Sequence, residues 1–160
     1  MLYFLNSTLK QIQSCAENEY PAECCGILVG LKQGADKIVY RVCPIENTAE
    51  EKETHFYIDP LETYKAEITA EFEQLEIVGF YHSHPNFKAI PSIEDKDFMI
   101  EGFAYPIISV RNGKYEEIRC FEKEINNDIV VLKETIVREK KRRKENENHG
   151  LCGGNAANVC

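Results

Sequence analysis

Basic side chains are in short supply in this chain of 160 residues. It carries 19 lysines and arginines against 27 aspartates and glutamates, which gives a formal net charge of −8 at pH 7. A protein that binds nucleic acid broadly presents a basic face to the phosphates, so this balance argues against that class of function. The cationic run at 138–144 is followed at once by glutamates, and we interpret it as a solvated terminal segment; a phosphate-binding patch is the alternative.

Long apolar runs and paired cysteine motifs are also missing. No run is long enough to span a bilayer, and the first residues, MLYFLNSTLKQ, lack both the basic start and the apolar core of a signal peptide. The seven cysteines are odd in number, and Cys24 and Cys25 are adjacent rather than spaced as C-x-x-C. We therefore expect a cytoplasmic protein with reduced thiols and no membrane partner.

The chain does contain an alternation of helical and strand patterns, with no internal repeat and no linker. A continuous apolar run at 25–31 predicts a strand that is buried on both faces. Helices are predicted over 6–19, 59–75 and 92–103, and further strands over 37–45, 55–58, 76–84, 104–110 and 114–121. The segment 127–138 fits a strand first and a helix second. This order predicts an α/β sandwich, in which helices flank a mixed sheet.

The second helix has a clear start and an apolar stripe. Asp59 can cap it, and Pro60 suits the first helical position. The stripe is predicted to face the core and consists of Leu61, Tyr64, Ile68, Phe72 and Leu75. For the chain as a whole we predict one domain over 1–138 and a flexible, charged tail over 139–160.

The stretch YHSHPNFKAIPSIEDKD, at 81–97, contains the candidate chemistry. Side chains at i and i+2 of a strand point to the same face, so His82 and His84 can direct two imidazoles at one point. Neutral imidazoles suit zinc, and Asp95, in the first turn of the next helix, is the candidate third ligand. The alternative needs no chemistry: Ser92 caps the helix and the acidic residue three positions on bonds back to it, as in a capping box.

Residues far upstream favour the metal site. Glu23 lies in PAECCG, just before the buried strand. Taken alone, a glutamate in such a position is most often an exposed surface residue without a function. Taken together the chain reads P-x-E-x-C-G, then H-S-H-P, then S-x-x-D, with ten residues between His84 and Asp95. This pattern resembles the JAMM (Jab/MPN) metalloprotease family in its compact prokaryotic form, and the resemblance covers residues 6–137. These motif parts, in order and at the family spacing, make a specific signature.

The resemblance implies an MPN fold, similar to the cytidine-deaminase-like α/β/α arrangement, and one zinc ion per chain. It implies that His82, His84 and Asp95 bind the zinc, with water as the fourth ligand. It also implies that Glu23 is the general base and that Ser92 helps to stabilise the tetrahedral intermediate. These roles are chemically sound, because zinc lowers the pKa of bound water to about 7, a carboxylate can carry its proton, and a hydroxyl can donate to an oxyanion.

Family membership also implies the kind of substrate. The family hydrolyses peptide or isopeptide bonds after the C-terminal Gly-Gly of ubiquitin-like proteins, so the expected partner is a ubiquitin-like or sulfur-carrier-like protein. Some compact prokaryotic members sit in operons with E1- and E2-like proteins, including anti-phage islands, where they reverse a conjugation. Two alternatives stay open: clipping of a sulfur-carrier protein in cysteine or cofactor synthesis, and a non-catalytic MPN scaffold. The complete set of motif residues favours an enzyme.

The end of the chain, LCGGNAANVC, carries Gly153 and Gly154. In a protease directed at Gly-Gly, this segment is a candidate substrate-like tail that is cut after Gly154 in its own or a neighbouring molecule. A plain disordered tail or a fused segment is the alternative.

Overall fold

The computed structural model describes residues 1–126, 129–135 and 137–140. In this part of the chain there are eight strands and three helices. In order they are β1 (Leu2–Leu5), α1 (Asn6–Glu19), β2 (Cys25–Gln33), β3 (Asp36–Ile45), α2 (Pro60–Phe72), β4 (Glu76–Pro85), α3 (Ile93–Phe98), β5 (Ala104–Arg111), β6 (Lys114–Asn126), β7 (Ile129–Thr135) and β8 (Val137–Lys140).

All eight strands join one mixed sheet in the order β7-β6-β5-β4-β2-β3-β1-β8. β4 pairs parallel with β5, and β1 pairs parallel with β3 and with β8, while the other neighbours are antiparallel. β7 ends at Thr135 and β8 begins at Val137, so the two outer strands of the order are consecutive in the chain. The sheet therefore curls back on itself, and Lys37 Nζ of β3 lies 2.7 Å from the Glu122 carboxylate of β6.

The main core lies between the curled sheet and α1. Ile12 and Ala16 of α1 are buried against side chains from β1 to β5, which include Phe4, Leu28 and Tyr81. β2 passes so close to β3 and β4 at Gly26 that an added Cβ would overlap the Cys43 carbonyl oxygen and the ring of Tyr81. Tight strand contact and a buried helix face thus fix β4, the strand that carries both candidate histidines.

The second helix packs on the opposite face, but with a different side from the one predicted. Ala66 and Ala70 face the sheet and pack against Ile27 and Val29 of β2. Small side chains let the helix axis approach the sheet, so the larger residues are turned outward. The predicted core stripe is therefore wrong for four of its five members, which are exposed: Leu61, Tyr64, Ile68 and Phe72. Only Leu75 packs partly against the core.

Other boundaries confirm or correct the sequence analysis. α1 matches the predicted helix over 6–19, and the strand expected first for 127–138 appears as β7 and β8. The predicted strand at 55–58 is wrong, because this segment joins no ladder, and α3 ends at Phe98 because Met99 adopts an extended backbone. The predicted domain boundary at 138 falls within β8, and the tail with Gly153 and Gly154 lies outside the described residues. None of the described helices is long and apolar enough to cross a membrane.

Candidate metal centre

β4 delivers the two histidines to one point, as the strand periodicity predicts. The strand runs through Pro85 and pairs with β5, so His82 and His84 keep the same face of the sheet. Both side chains are buried, and their Nε2 atoms lie 3.0 Å apart. Two ring nitrogens can approach this closely in a buried site only if a proton or a cation lies between them.

α3 brings a carboxylate to the same point. Ser92 Oγ accepts the backbone N–H of Asp95 at 3.0 Å, and Asp95 Oδ2 accepts the backbone N–H of Ser92 at 2.6 Å, which completes a capping box. The Asp95 oxygens lie 3.2 Å from His82 Nε2 and 3.4 Å from His84 Nε2. The capping interpretation and the ligand interpretation of this helix start are therefore compatible in one geometry.

The spacing of these three side chains fits a small tetrahedral cation. Zinc bonds of 2.0–2.1 Å in a tetrahedron place neighbouring ligand atoms about 3.3–3.4 Å apart. The two Nε2 atoms lie 3.0 Å apart, Asp95 Oδ1 lies 3.2 Å from His82 Nε2, and Asp95 Oδ2 lies 3.4 Å from His84 Nε2. One ligand atom from each of the three residues lies within 4.8 Å of the other two, which is close enough for a shared ion. Two imidazoles and one carboxylate are also the ligand types that zinc accepts in open, catalytic sites.

The imidazoles are oriented by neighbours that the sequence analysis did not single out. His84 Nδ1 lies 2.9 Å from the backbone oxygen of Lys88, which can only accept a hydrogen bond, so Nδ1 carries a hydrogen and Nε2 is the ring nitrogen that faces Asp95. The ring of Phe56 stacks on His82, with centroids 4.4 Å apart and planes inclined by 19°. Phe56 lies in the segment predicted to be a strand, and its contact with His82 has no signature in local periodicity.

The protonation equilibria of the three candidate ligands depend on burial and on their mutual hydrogen bonds. Burial lowers the pKa of His82, which favours the neutral imidazole that a metal requires. Burial also acts to lower the pKa of His84, but bonds to Asp95 and the Lys88 carbonyl outweigh it and raise that pKa. Burial acts to raise the pKa of Asp95. Hydrogen bonds from His82 and His84 outweigh burial and hold that pKa well below its usual range. The carboxylate is therefore charged.

Glu23 lies in the loop between α1 and β2 and reaches the same cavity. The cavity has a volume of about 410 Å³, and its lining includes Glu23, His84, Ser92 and Asp95. Burial raises the pKa of Glu23 to about 8. A carboxyl group with a pKa near neutrality is suited to accept and return a proton.

A second, apolar cavity adjoins the other side of the histidines. Its volume is about 170 Å³, and it is bounded by His82 and Asp95 together with Phe56, Phe80 and Tyr105. Phe56, Asp95 and Phe98 line both cavities. Of the five residues singled out from the sequence, Glu23, His84, Ser92 and Asp95 line the polar cavity, and His82 and Asp95 line the apolar one.

Known proteins resemble this chain in sequence and in fold. Residues 5–122 match the family described as prokaryotic homologs of the JAB domain. The chain is 33% identical over 105 residues to a desampylase of Haloferax volcanii, which covers 65% of this chain and 74% of that protein. It is 33% identical over 95 residues to a probable TtuB-protein conjugate cleaving protease of Thermus thermophilus, which covers 59% of this chain and 61% of that protein.

Solved structures agree with the mixed α/β fold. The solution structure of a Desulfitobacterium hafniense protein superimposes with a TM-score of 0.77 at 28% identity, over 94% of this chain and 100% of the other. The crystal structure of a JAB1/MPN domain protein from Archaeoglobus fulgidus superimposes with a TM-score of 0.54, over 88% of this chain and 97% of the other. Because the identity there is 18%, that likeness supports the fold alone. The MPN fold expected from the sequence is confirmed.

Proposed function

The chain belongs to the prokaryotic homologs of the JAB domain, and from this premise we propose that it is a zinc-dependent peptidase or isopeptidase. It hydrolyses the bond that follows the C-terminal Gly-Gly of a ubiquitin-like or sulfur-carrier-like protein, in deconjugation or in precursor processing. The observation that supports this proposal best is that ligand atoms of His82, His84 and Asp95 converge within 4.8 Å of one another, beside a cavity that a buried Glu23 also lines.

The roles of the individual side chains follow from their positions. His82, His84 and Asp95 would hold the zinc, which when bound supplies Lewis-acid chemistry by polarising a carbonyl and lowering the pKa of water. Glu23 acts as general base: it takes the proton of the attacking water and passes it to the leaving amine. In the metal-free protein burial raises its pKa to about 8, and a bound cation would bring that pKa down toward the neutral range in which a carboxyl group can both take and return a proton.

Ser92 combines two tasks in one hydroxyl. Its Oγ accepts the Asp95 N–H at 3.0 Å, which uses a lone pair and leaves the hydroxyl proton available. The hydroxyl can donate that proton into the cavity that Ser92 lines together with Glu23 and His84, where the oxyanion of a tetrahedral intermediate would form. The helix cap therefore holds the donor in place before the substrate arrives.

The relatives support the choice of substrate. Two of them are named for the removal of modifier proteins, a desampylase and a TtuB-conjugate cleaving protease. Glycines before the scissile bond suit a narrow site walled by Phe56, because a residue without a Cβ can approach it closely. Clipping of a sulfur-carrier protein uses the same chemistry and stays the alternative pathway. The intact set of site residues weighs against a non-catalytic scaffold.

A panel of modifier–Gly-Gly–peptide fusions tests the proposal. Purified protein is incubated with each fusion, with added zinc or with a chelator, and the products are identified by mass. We expect cleavage directly after Gly-Gly that the chelator abolishes and that zinc restores, and none with Glu23→Ala. Glu71→Gln, on the exposed side of α2, is the matched control and should cleave like the wild type. Cleavage that persists in the chelator, or in Glu23→Ala, contradicts the proposal.

A further inference from the structure

Asn47 is a buried side chain just after β3 that cross-links two parts of the site. Only 8% of it is exposed. Its Nδ2 donates to the backbone oxygens of Glu23 and His55, each at 2.9 Å. Its Oδ1 accepts the backbone N–H groups of Ala49 at 3.0 Å and Tyr57 at 3.2 Å. Both donor hydrogens and both acceptor positions of the amide are therefore used, a pattern that a carboxylate of the same size cannot reproduce.

One pair of these bonds holds the segment that covers a candidate metal ligand. His55 and Tyr57 are the neighbours of Phe56 on either side, and the Phe56 ring stacks on His82 at 4.4 Å. Residues 46–59 make no ladder pair with any described strand. The position of Phe56 therefore depends on side-chain bonds such as those of Asn47 rather than on the sheet.

The backbone of Glu23 is held by the same segment. Its carbonyl oxygen accepts from Asn47, and its N–H donates to the carbonyl oxygen of Lys52 at 2.6 Å. β2 begins at Cys25, and Cys24 is tied to Ser83 of β4 through its N–H at 2.8 Å and its carbonyl oxygen at 2.9 Å, whereas the backbone of Glu23 itself has no bond to any described strand. The metal ligands, in contrast, are set by β4 and by the start of α3. The bonds from Asn47 and to Lys52 hold the backbone of Glu23 itself, and a device at this point can set the distance between the carboxylate and the ligand group.

We propose that Asn47 is that device: a positioning residue that fixes the Glu23 carboxylate relative to the group formed by His82, His84 and Asp95. This inference rests on the proposed function, because it assigns Asn47 a task in the proton transfer by Glu23. A general base must lie within about 2.6–3.2 Å of the atom whose proton it takes, or act through one water. Loss of the Asn47 bonds should therefore slow turnover without weakening substrate binding or metal binding.

Asn47→Asp is the direct test, since it keeps the size and the acceptor oxygen but loses both donors. The matched control is Asn86→Asp: Asn86 also cross-links two loops, donating to Tyr20 Oη and accepting the Asn112 N–H, each at 3.0 Å. We expect kcat on a cleaved modifier fusion to fall about 10–100-fold in Asn47→Asp, as for loss of other outer contacts of metal sites. KM and zinc content should stay at wild-type values, and the control should keep its kcat. A wild-type kcat in folded Asn47→Asp overturns the inference.

A double-mutant cycle separates positioning from a general loss of structure. In a Glu23→Gln background, Asn47→Asp should cost no further turnover, because the group that Asn47 positions no longer acts as a base. Residual rates are measured at high enzyme concentration by mass. If the losses of turnover from the two single substitutions add in the double variant, Asn47 acts on the fold as a whole, and the inference is contradicted.

Hydrogen exchange gives a readout that needs no turnover. In metal-free protein, the backbone amides of Glu23 and Cys24 should exchange faster in Asn47→Asp than in the wild type and should be unchanged in Asn86→Asp. Unchanged exchange in Asn47→Asp overturns the inference even if the wild type is active. If the wild type cleaves no fusion, the proposed function fails, and the exchange result still decides whether Asn47 holds Glu23 in place.

Discussion

Glu23 should make the metal-free protein less stable at neutral pH, and Glu23→Gln should remove that cost. The carboxyl group is buried, and burial raises its pKa from 4.5 to about 8. Below pH 4.5 Glu23 is neutral in both the folded and the unfolded chain and carries no penalty. As the pH rises toward 8, the unfolded chain ionises freely while the folded state resists, so stability is lost progressively over this window.

The size of the effect follows from the two pKa values. Each pKa unit between the unfolded and the folded value lowers the free energy of unfolding by about 1.4 kcal/mol. At a given pH only the units that lie below that pH count. At pH 7 the ionisation of Glu23 then costs about 3 kcal/mol, and at pH 5 less than about 1 kcal/mol. Glu23→Gln, which keeps the shape without the charge, should therefore raise the free energy of unfolding by about 3 kcal/mol at pH 7.

The difference in the free energy of unfolding between Glu23→Gln and the wild type is measured at pH 5 and at pH 7. Urea unfolding is followed by circular dichroism in excess chelator. Glu71→Gln removes the same formal charge from an exposed position of α2, and its difference from the wild type should not grow with pH. Added zinc should reduce the difference in unfolding free energy between Glu23→Gln and the wild type, because a nearby cation favours the carboxylate. A difference in unfolding free energy that is equal at the two pH values refutes the reasoning. A wild type that is more stable than Glu23→Gln at pH 7 refutes it as well.

Three further outcomes can be measured on the same material. His84→Ala and Asp95→Ala should lose zinc in elemental analysis while Glu23→Ala retains it, and full zinc in an active Asp95→Ala protein contradicts the ligand assignment. A hydrogen bond from Cys24 lowers the pKa of Cys15 to about 7, whereas burial raises that of Cys120, so iodoacetamide at pH 7.5 should label Cys15 before Cys120 in peptide-resolved mass spectra; equal labelling of the two contradicts this. In concentrated, zinc-loaded samples the wild type should lose the residues after Gly154 and Glu23→Ala should not, and tails that stay intact in both show that self-cleavage does not occur.

The parts of the site that share one element could be predicted from the sequence. His82 and His84 lie two positions apart on a strand, and Asp95 and Ser92 lie one turn apart at a helix start, so local geometry already aligns each pair. Joining the two pairs to Glu23 needed the family motif, because nothing local relates a loop at residue 23 to a strand end at residue 82. The structure brings Glu23, His84, Ser92 and Asp95 to the edge of one cavity, and His82 lies next to His84.

The parts that escaped prediction depend on contacts between distant segments. Asn47 is an ordinary loop residue until its bond to the Glu23 carbonyl, 24 positions away, is seen. Phe56 carries a strand-like pattern but is held by side-chain bonds and by its stacking on His82. Helical periodicity identifies the most apolar side of α2 but not the side that packs on the sheet. The small side chains of Ala66 and Ala70 decide which side fits there.

The pairing of the first strand with the last has a consequence for how the chain folds. Leu2 of β1 lies opposite Val137 of β8, a contact between residues 135 positions apart that closes nearly the whole described chain into one loop. Such non-local pairing slows folding, because the entropy of closing the loop is lost before the contact is gained. During synthesis β1 must wait for residues 137–140 to leave the ribosome. A chain that stops short of Val137 would leave one edge of β1 unpaired and open to association with other chains.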